Sequence, residues 1–117
     1  MTPLNDCLFC KIAAGDIPST KVYEDEDTYA FLDIAPQAPK HILVIPKAHM
    51  RNVLECADRD DALIGQLFRT AAMIAKEQGL GEKGFRLVTN CGTDAMQSVD
   101  HFHIHILGGA TLSGQMG

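Results

Sequence analysis

The clearest hydrophobic pattern in the chain lies just past its middle. Apolar side chains recur there at i, i+3 and i+4, the spacing of one helix face, at Leu63, Ile64, Leu67, Phe68, Ala71, Ile74 and Ala75. Asp58, Asp60 and Asp61 suit the positive N-terminal end of such a helix, and Gly79 suits its C-terminal end. The pattern therefore predicts one long amphipathic helix over residues 58–78.

Short apolar or alternating runs predict five strands, over residues 21–25, 28–34, 41–46, 85–90 and 101–107. The third run, HILVIP, is almost entirely apolar and rich in β-branched residues, as a central strand buried on both faces would be. An acidic turn near Asp25 and Glu26 joins the first two strands, and a loop containing Pro36 and Pro39 precedes the third.

A second, shorter helix is predicted near the N-terminus, over residues 7–14. Asn5 or Asp6 is a suitable N-cap for it, and Gly15 is a suitable stop. Strands grouped before and after one long helix favour an antiparallel α+β fold over a βαβ repeat. We expect one domain over residues 1–117, a length that allows a single modest core.

Composition narrows the classes of function. Hydrophobic residues make up 46% of the 117 residues, and the net charge is -5, so no general attraction to nucleic acid or anionic membranes is expected. We find no basic patch with stacked aromatics, no apolar run of the roughly 20 residues that span a bilayer, and no signal-peptide pattern. We therefore expect a cytoplasmic protein with no nucleic-acid or membrane partner.

Three of the five histidines alternate with apolar residues in the run HFHIHILGG, at His101, His103 and His105. Residues i and i+2 of a strand share a face, so the three imidazoles are expected on one side and Phe102 and Ile104 on the other. The outer two would lie about 13 Å apart along an extended strand, which makes one shared metal awkward. We therefore favour separate roles for the three histidines, as nucleophile, ligand and proton donor. The alternative is a surface strand that carries polar residues at alternate positions without a function.

Cys7 and Cys10 form a C-x-x-C pair, while Cys56 and Cys91 stand alone. In a reducing compartment these four cysteines are not expected to form a disulfide framework. The pair has the spacing of half a zinc site. A thioredoxin-like redox role would need a βαβ context that the pattern lacks, and unligated structural thiols are the remaining alternative.

Several segments together resemble the histidine triad (HIT) superfamily, and in particular its Hint-type nucleotide-binding branch of purine nucleoside phosphoramidases. The segments are CLFCKIAAGDIPS, VYEDEDTYAFLDIAPQAPKHILVIPKAH, FRLVTN and QSVDHFHIHILGG, in family order. The resemblance implies a five-stranded antiparallel sheet with one long and one short N-terminal helix. It also implies a homodimer in which two sheets form one continuous ten-stranded sheet.

The resemblance also implies a reaction. Family members hydrolyse nucleoside 5'-phosphoramidates or acyl-nucleotides through a covalent nucleotidyl-histidine. His103 matches the nucleophile, His105 the residue that contacts the phosphate or the departing group, and Ser98 and His41 further catalytic positions. The alternative is a purine-nucleotide-binding protein that has little turnover and acts through protein partners.

The family's ligand-binding residues can be placed in the same way. The nucleotide-binding set implied here is Phe9, Phe31, Asp33, Ile34, Asn90, Ser98, His103 and His105, with Asp33 on the ribose hydroxyls. Relatives that carry the cysteine pair complete a zinc site with two histidines, which implies a Cys2His2 site of Cys7, Cys10, His49 and His101. Such a zinc ion would be structural, and the reaction itself would need no cofactor.

Three features depart from the family pattern. Met96 stands where glycine is usual, just before the QSV segment, and would reshape the phosphate loop. Asp100 places a carboxylate directly before the triad, and the C-terminal segment lacks the family's Trp-Pro-Pro tail. Because of these departures, the sequence predicts the preferred leaving group and the turnover rate least well.

Overall fold

A computed structural model describes residues 6–116 of the chain. The elements are α1 (Leu8–Ala13), β1 (Lys21–Glu24), β2 (Thr28–Leu32), β3 (Lys40–Pro46), a 3-10 helix (Val53–Asp58), α2 (Asp61–Glu77), β4 (Phe85–Val88) and β5 (Ile104–Gly108). The strands form one antiparallel sheet in the order β1-β2-β3-β5-β4. The predicted α+β class, with five strands and two main helices, is confirmed.

The centre of the sheet is β3, which is buried on both faces. Ile42 and Val44 point into the core beneath α2, and Leu43 and Ile45 point into a second core on the opposite face. This explains the continuous apolar run in the sequence, because neither face of the strand meets water. The second core is closed by α1, through Phe9 and Ile12, and it lies on the face that carries the histidines.

The long helix is shorter than predicted, and its buried face contains slightly different residues from the predicted ones. Asp60 is its N-cap and accepts a hydrogen bond from the Ala62 N–H at 3.0 Å, so the helix starts at Asp61 rather than residue 58. Phe68, predicted on the buried face, is 51% exposed, whereas Thr70 is buried. The buried residues of α2 form a stripe along the helix that includes Leu67 and Ile74. Successive residues of a helix are about 100° apart around its axis, so Phe68 lies at the edge of this stripe.

The N-terminal helix is capped differently from the prediction. Asn5 lies outside the described residues, and Asp6 is not the cap. Cys7 takes that position, and its Sγ accepts from the Cys10 N–H at 3.4 Å. The end of the helix is as predicted, because Gly15 follows it with a φ of 85°, a conformation that glycine adopts without steric cost.

Four strands are shorter than their sequence patterns. β1 ends at Glu24 rather than residue 25, and β2 ends at Leu32 rather than residue 34. β4 ends at Val88 rather than residue 90, and β5 begins at Ile104 rather than residue 101. The ladder between β3 and β5 stops at the Val44–Ile104 pair, and β3 itself ends at Pro46, which has no N–H to offer. Among the described residues, no helix is long and apolar enough to cross a membrane.

Candidate active site and metal centre

Of the three alternating histidines, His105 lies in β5, and His101 and His103 lie in the segment directly before it. Phe102 and Ile104 point into the core under α2. The ring of His103 lies on the other face, 5.1 Å from the ring of Phe9 and 5.0 Å from that of His105. The alternation in the sequence therefore separates a packing face from a histidine face, as predicted.

His103 is held with one ring nitrogen free. Its Nδ1 lies 2.7 Å from the carbonyl oxygen of His101, which only accepts hydrogen bonds, so Nδ1 carries the proton. The neutral ring then has a lone pair on Nε2. Burial lowers the pKa of His103, and the side chain is only 3% exposed. The ring is thus neutral and oriented, which is the state that a nucleophile requires.

His105 is oriented by His41 through a chain of hydrogen bonds. The Gln37 N–H donates to His41 Nδ1 at 3.0 Å, so the proton of neutral His41 sits on Nε2. That N–H donates to His105 Nδ1 at 2.8 Å, which leaves the His105 proton on Nε2. A backbone amide of the loop before β3 therefore fixes the tautomers of two imidazoles. His105 presents a hydrogen-bond donor on the same face where His103 presents a lone pair.

Charges around this chain of imidazoles are few. Asp33 Oδ2 lies 3.3 Å from His41 Nε2, and Asp33 Oδ1 accepts from the Ala35 N–H at 2.8 Å. Burial lowers the pKa of His41, and Asp33 opposes that change. Burial, followed by the neighbouring His103 and His41, lowers the pKa of His105 to about 4. In the free protein the three imidazoles are neutral at physiological pH.

The same three groups, Asp33, His41 and His105, are close enough to hold a metal ion. The hydrogen bonds argue against it. A metal on His41 Nε2 would displace the proton there, while Nδ1 of the same ring accepts from the Gln37 N–H. The ring would then have to bind as an imidazolate or give up the backbone hydrogen bond. The geometry fits a hydrogen-bonded relay.

The loop between β4 and β5 carries Asn90 and Ser98. Asn90 Nδ2 donates to the Ala95 carbonyl at 2.9 Å, and Ser98 is exposed. Thr89, which the sequence did not single out, donates through Oγ1 to the His103 carbonyl at 2.8 Å. This contact fastens the beginning of the loop to the backbone of the histidine run. Thr89 donates its hydroxyl to a main-chain carbonyl, and Gln37 donates its own main-chain N–H, so each contact involves a backbone atom that no residue pattern reveals.

The residues expected around a nucleoside have unequal environments. Phe9 and Phe31 are both 5% exposed and contact each other edge to face, with ring centroids 5.4 Å apart. They are members of the second core as well as neighbours of the histidine face. Ile34 is fully exposed, directly after Asp33. An apolar side chain held entirely in water beside the relay is a suitable surface for a base.

A second cluster consists of two thiols and two imidazoles. His101 Nδ1 lies 3.2 Å from Cys7 Sγ and 3.5 Å from Cys10 Sγ, and His49 Nδ1 lies 3.3 Å from Cys10 Sγ. The four donor atoms all lie within 4.8 Å of one another. A tetrahedral zinc ion places sulfur and nitrogen ligands about 3.5 Å apart. The cluster predicted from the sequence is therefore assembled, and its donors fit zinc.

The outer contacts of this cluster also fit a metal. His101 Nε2 lies 2.9 Å from the Pro46 carbonyl, so Nε2 carries the proton and the Nδ1 lone pair faces the thiols. Histidine ligands commonly donate their second N–H in this way. His49 Nε2 is buried without a hydrogen-bond partner in the described part of the chain. Burial, with Cys7 adding to it, raises the pKa of the Cys10 thiol to about 12, unlike a reactive redox cysteine.

The structure explains one departure from the family pattern, Asp100, and has no explanation for another, Met96. The Nε of Arg51 donates to Asp100 Oδ1 at 3.2 Å. The carboxylate is thus paired with a cation. Met96 has a φ of 61°, a left-handed conformation that favours glycine.

The chain is similar to known proteins in sequence and in fold. The family model "HIT domain" matches residues 14–112. A 14 kDa zinc-binding protein of Brassica juncea is 44% identical over 110 residues, which cover 92% of this chain and 96% of that protein. Adenylylsulfatase HINT1 of Arabidopsis thaliana is 44% identical over 108 residues, covering 91% of this chain and 73% of that protein. The crystal structure of a HIT family hydrolase from Legionella pneumophila superposes with a TM-score of 0.91 at 45% identity, covering 95% and 99% of the two chains.

Proposed function

Because the chain belongs to the HIT domain family, we propose that it hydrolyses nucleotides that carry a leaving group on the α-phosphate, through a nucleotidyl intermediate on His103. The supporting observation is the hydrogen bond from His103 Nδ1 to the His101 carbonyl. It leaves Nε2 as the nucleophile and stabilises the positive charge that the ring gains when it bonds to phosphorus. The adjacent relay directs a second imidazole to the same place.

The first step forms one bond and breaks one. His103 Nε2 donates its electron pair to phosphorus, and the bond between phosphorus and the leaving group breaks, with that electron pair staying on the leaving group. In the second step water attacks phosphorus, the bond between phosphorus and His103 Nε2 breaks with its electron pair returning to Nε2, and the proton lost by the water passes to solvent. Splitting the displacement in this way replaces one hard step with two easier ones.

His105 determines what happens to the leaving group. Its Nε2–H is a hydrogen-bond donor for a phosphate oxygen or for the departing atom. A carboxylate or sulfate leaves as an anion and needs no proton, whereas an amine needs one from a doubly protonated His105. In that state His105 Nδ1 donates to His41 Nε2, and His41 carries its proton on Nδ1 and gives up the hydrogen bond from the Gln37 N–H. Because the pKa of His105 is about 4 in the free protein, the bound phosphate must supply negative charge to raise it. The Arabidopsis relative is named an adenylylsulfatase, so adenylyl sulfate is a suitable probe beside a phosphoramidate.

We assign the nucleoside to the surface beside the relay. Ile34 supplies an exposed apolar surface for a purine, and we assign Phe9 and Phe31, which contact each other edge to face, to the same nucleoside site. Asp33, with a partly exposed carboxylate, accepts hydrogen bonds from the ribose hydroxyls. Asn90 and Ser98 belong to the loop fastened at Thr89 and are assigned to the phosphate. His41 orients His105 and does not touch the substrate.

The zinc ion proposed for Cys7, Cys10, His49 and His101 is structural, because all four positions of a tetrahedron are filled by protein. When bound, it would join α1, the segment after β3 and the histidine run. His101 belongs to this site through its side chain and to the active site through its carbonyl. It therefore positions His103 without taking part in the chemistry.

A homodimer is also part of the proposal. β4 is an edge strand, and its Phe85 and Leu87 are exposed hydrophobic residues on the α2 side of the sheet. Phe68 on α2 is exposed as well. Pairing of β4 with the same strand of a twin would cover this edge and extend the sheet to ten strands. Light scattering after gel filtration measures it, and a monomeric mass at 50 μM would contradict it.

Turnover and intermediate capture test the function. Purified protein is mixed with adenosine 5'-phosphoramidate or adenylyl sulfate, and release of AMP is measured for the wild type and His103→Ala. Rapid quenching followed by mass spectrometry is expected to show an AMP adduct on the peptide that contains His103. Product formation at the same rate in both proteins would contradict the mechanism. Tight AMP binding without turnover by the wild type would favour the alternative, a nucleotide-binding protein that acts through partners.

A further inference from the structure

The loop between β4 and β5 contains a polar side chain that the proposed mechanism leaves without a role. Gln97, the first residue of the QSV segment, is partly buried. Its Nε2 donates to the Arg51 carbonyl at 2.6 Å and to the Val99 carbonyl at 2.9 Å, and its Oε1 accepts from the Gly92 N–H at 2.9 Å. Main-chain groups therefore use both donors of the amide and one lone pair of its oxygen.

The contact with Val99 restricts the backbone of Ser98. The Gln97 side chain reaches forward over one residue, so its bond to the Val99 carbonyl closes a ring of atoms that contains the whole main chain of Ser98. Such a ring limits the φ and ψ of Ser98, and hence the direction of its Cα–Cβ bond. Because Ser98 is exposed, packing does not fix its side chain. Its hydroxyl is therefore directed by the backbone that Gln97 holds.

The contact with Arg51 ties the same loop to the segment that follows β3. It joins residues 46 positions apart in the sequence. The neighbouring Met50 carbonyl accepts from the Phe102 N–H at 2.5 Å, so the histidine run is tied to this segment as well. The loop that carries Ser98 and the run that carries His103 are thus held by two consecutive residues.

The contact with Gly92 closes the loop upon itself. The Gly92 N–H donates to Gln97 Oε1, and the Gln97 N–H donates to the Gly92 carbonyl at 3.1 Å. Loss of the Gln97 amide would leave this turn with the main-chain bond alone. It would also free the turn from the segment after β3, so the backbone of Ser98 would lose its support on both sides.

We propose that Gln97 is a positioning residue that holds the Ser98 hydroxyl at the place, relative to His103, where it donates to an oxygen of the α-phosphate. This inference rests on the proposed function, which assigns Ser98 to the phosphate, and it adds the group that keeps Ser98 there. Gln97 itself donates nothing to the substrate, because both of its side-chain donors bind carbonyls of the protein. A misplacement of about 1 Å can lower a rate about 100-fold, so a phosphate-binding hydroxyl on an exposed loop needs such support.

A double-mutant cycle with Ser98 tests the inference. Gln97→Met is the test variant, because methionine has nearly the length of glutamine and makes none of the three hydrogen bonds. It is expected to lower kcat/KM for adenosine 5'-phosphoramidate about 10- to 100-fold in the wild-type background. In the Ser98→Ala background it is expected to lower kcat/KM by no more than about twofold, because the group it positions is already gone. A residue that only stabilises the fold would cost the same in both backgrounds.

Binding provides a second measurement that needs no turnover. Dissociation constants of AMP and of adenosine, which lacks the phosphate, are measured by calorimetry. Gln97→Met is expected to weaken AMP about 10-fold, the scale of one hydrogen bond to a charged group, and to leave adenosine unchanged. Ser98→Ala is expected to have the same effect, and the two substitutions together are expected to add little. Gln97→Asn, whose amide is one carbon shorter, is the second variant and is expected to fall between Gln97→Met and the wild type.

Gln66→Met is the matched control. Gln66 is also a partly buried glutamine, and its amide donates to Asp25 Oδ2 at 2.8 Å and accepts from Arg69 at 3.0 Å, on α2. Its substitution is expected to lower the melting temperature by a few degrees, as Gln97→Met does. It is expected to leave kcat/KM and the ratio of AMP affinity to adenosine affinity unchanged.

Three results would overturn the inference. They are equal losses of kcat/KM in the two backgrounds, an AMP-to-adenosine affinity ratio that Gln97→Met leaves within twofold of the wild type, and a Ser98→Ala protein that matches the wild type in both measurements. Wild-type hydrolysis is scored separately. A protein that binds AMP in the Gln97- and Ser98-dependent way without hydrolysing the phosphoramidate would refute the proposed reaction and support the positioning role of Gln97.

Discussion

The five histidines of this chain occupy two clusters with different chemistry. His49 and His101 face the sulfur atoms of Cys7 and Cys10, at 3.2 to 3.5 Å. His41 and His105 face each other beside Asp33, and His103 lies between the two groups with its Nδ1 on a carbonyl. The residue type is the same throughout, and burial lowers the pKa of His41, His101, His103 and His105 alike.

The difference lies in the partners of the ring nitrogens. In the sulfur cluster, carbonyl and thiol partners leave lone pairs that converge on one point, which is what a cation needs. In the relay, the Nδ1 lone pairs of His41 and His105 already accept hydrogen bonds from neighbouring N–H groups. The Nε2 atoms of His103 and His105 remain available to a substrate. Histidines that are similarly buried are therefore suited to metal binding in one cluster and to catalysis in the other, because their hydrogen-bond partners differ. Single substitutions in each cluster test this difference between a structural and a catalytic role.

The largest effect is expected at His103. His103→Ala is expected to lower kcat/KM by at least about a thousandfold, as loss of a covalent nucleophile does. Because the ring is buried against Phe9, its removal leaves a cavity and is expected to lower the melting temperature by a few degrees while the protein stays folded. Steady-state AMP release and differential scanning calorimetry measure the two properties. A stable, fully active His103→Ala protein would contradict the catalytic role.

The sulfur cluster should show the opposite pattern. Cys10→Ser is expected to reduce the bound zinc, measured by emission spectrometry, to well below one per chain. Loss of a structural metal from a chain of this size is expected to lower the melting temperature by about 10 °C or more. Cys56→Ser, at a partly buried thiol outside the cluster, is the matched control. Zinc retained at full occupancy in the Cys10→Ser protein would refute the ligand set.

An intermediate effect is expected at His41. His41→Ala removes the donor that fixes the His105 tautomer and is expected to lower kcat by about 10- to 100-fold, the scale of lost outer-shell orientation. His41→Gln offers a carbonyl to the Gln37 N–H and an amide N–H to His105, so it is expected to recover much of that loss. Equal rates for the two variants would show that His41 fills space and does not orient His105.

The smallest effect concerns pH and stability. The pKa of His105 is lowered from 6.5 to about 4 in the folded protein. Between these two values the unfolded chain binds a proton that the folded chain does not, so the free energy of unfolding falls as the pH falls from about 6.5 to about 4. Above this window the contribution vanishes, and below it the loss is constant. His105→Asn is expected to make the decline shallower, as chemical denaturation at a series of pH values would show.

Much of the fold follows from periodicity alone. The pattern of period 3.6 located α2, and the run HILVIP located the central strand, because each pattern records which faces meet water. The errors lie where a single contact outweighs the pattern. Asp60 caps α2 later than predicted, and β5 starts late because its ladder with β3 stops at the Val44–Ile104 pair. Neither contact can be read from the apolar positions.

The sequence by itself determined which residues meet at the site. Alternation placed the three histidines of the run on one face, and the family segments nominated Cys7, Cys10, His49 and Asp33 for their positions. The tertiary structure alone decided which nitrogen of each ring is free. That choice depends on main-chain atoms of the Pro46 carbonyl and the Gln37 amide, which are brought from distant segments. The pattern of side chains predicts which residues form a site. The ring nitrogen that carries the proton is determined by hydrogen bonds to backbone groups, which the identity of a residue does not reveal.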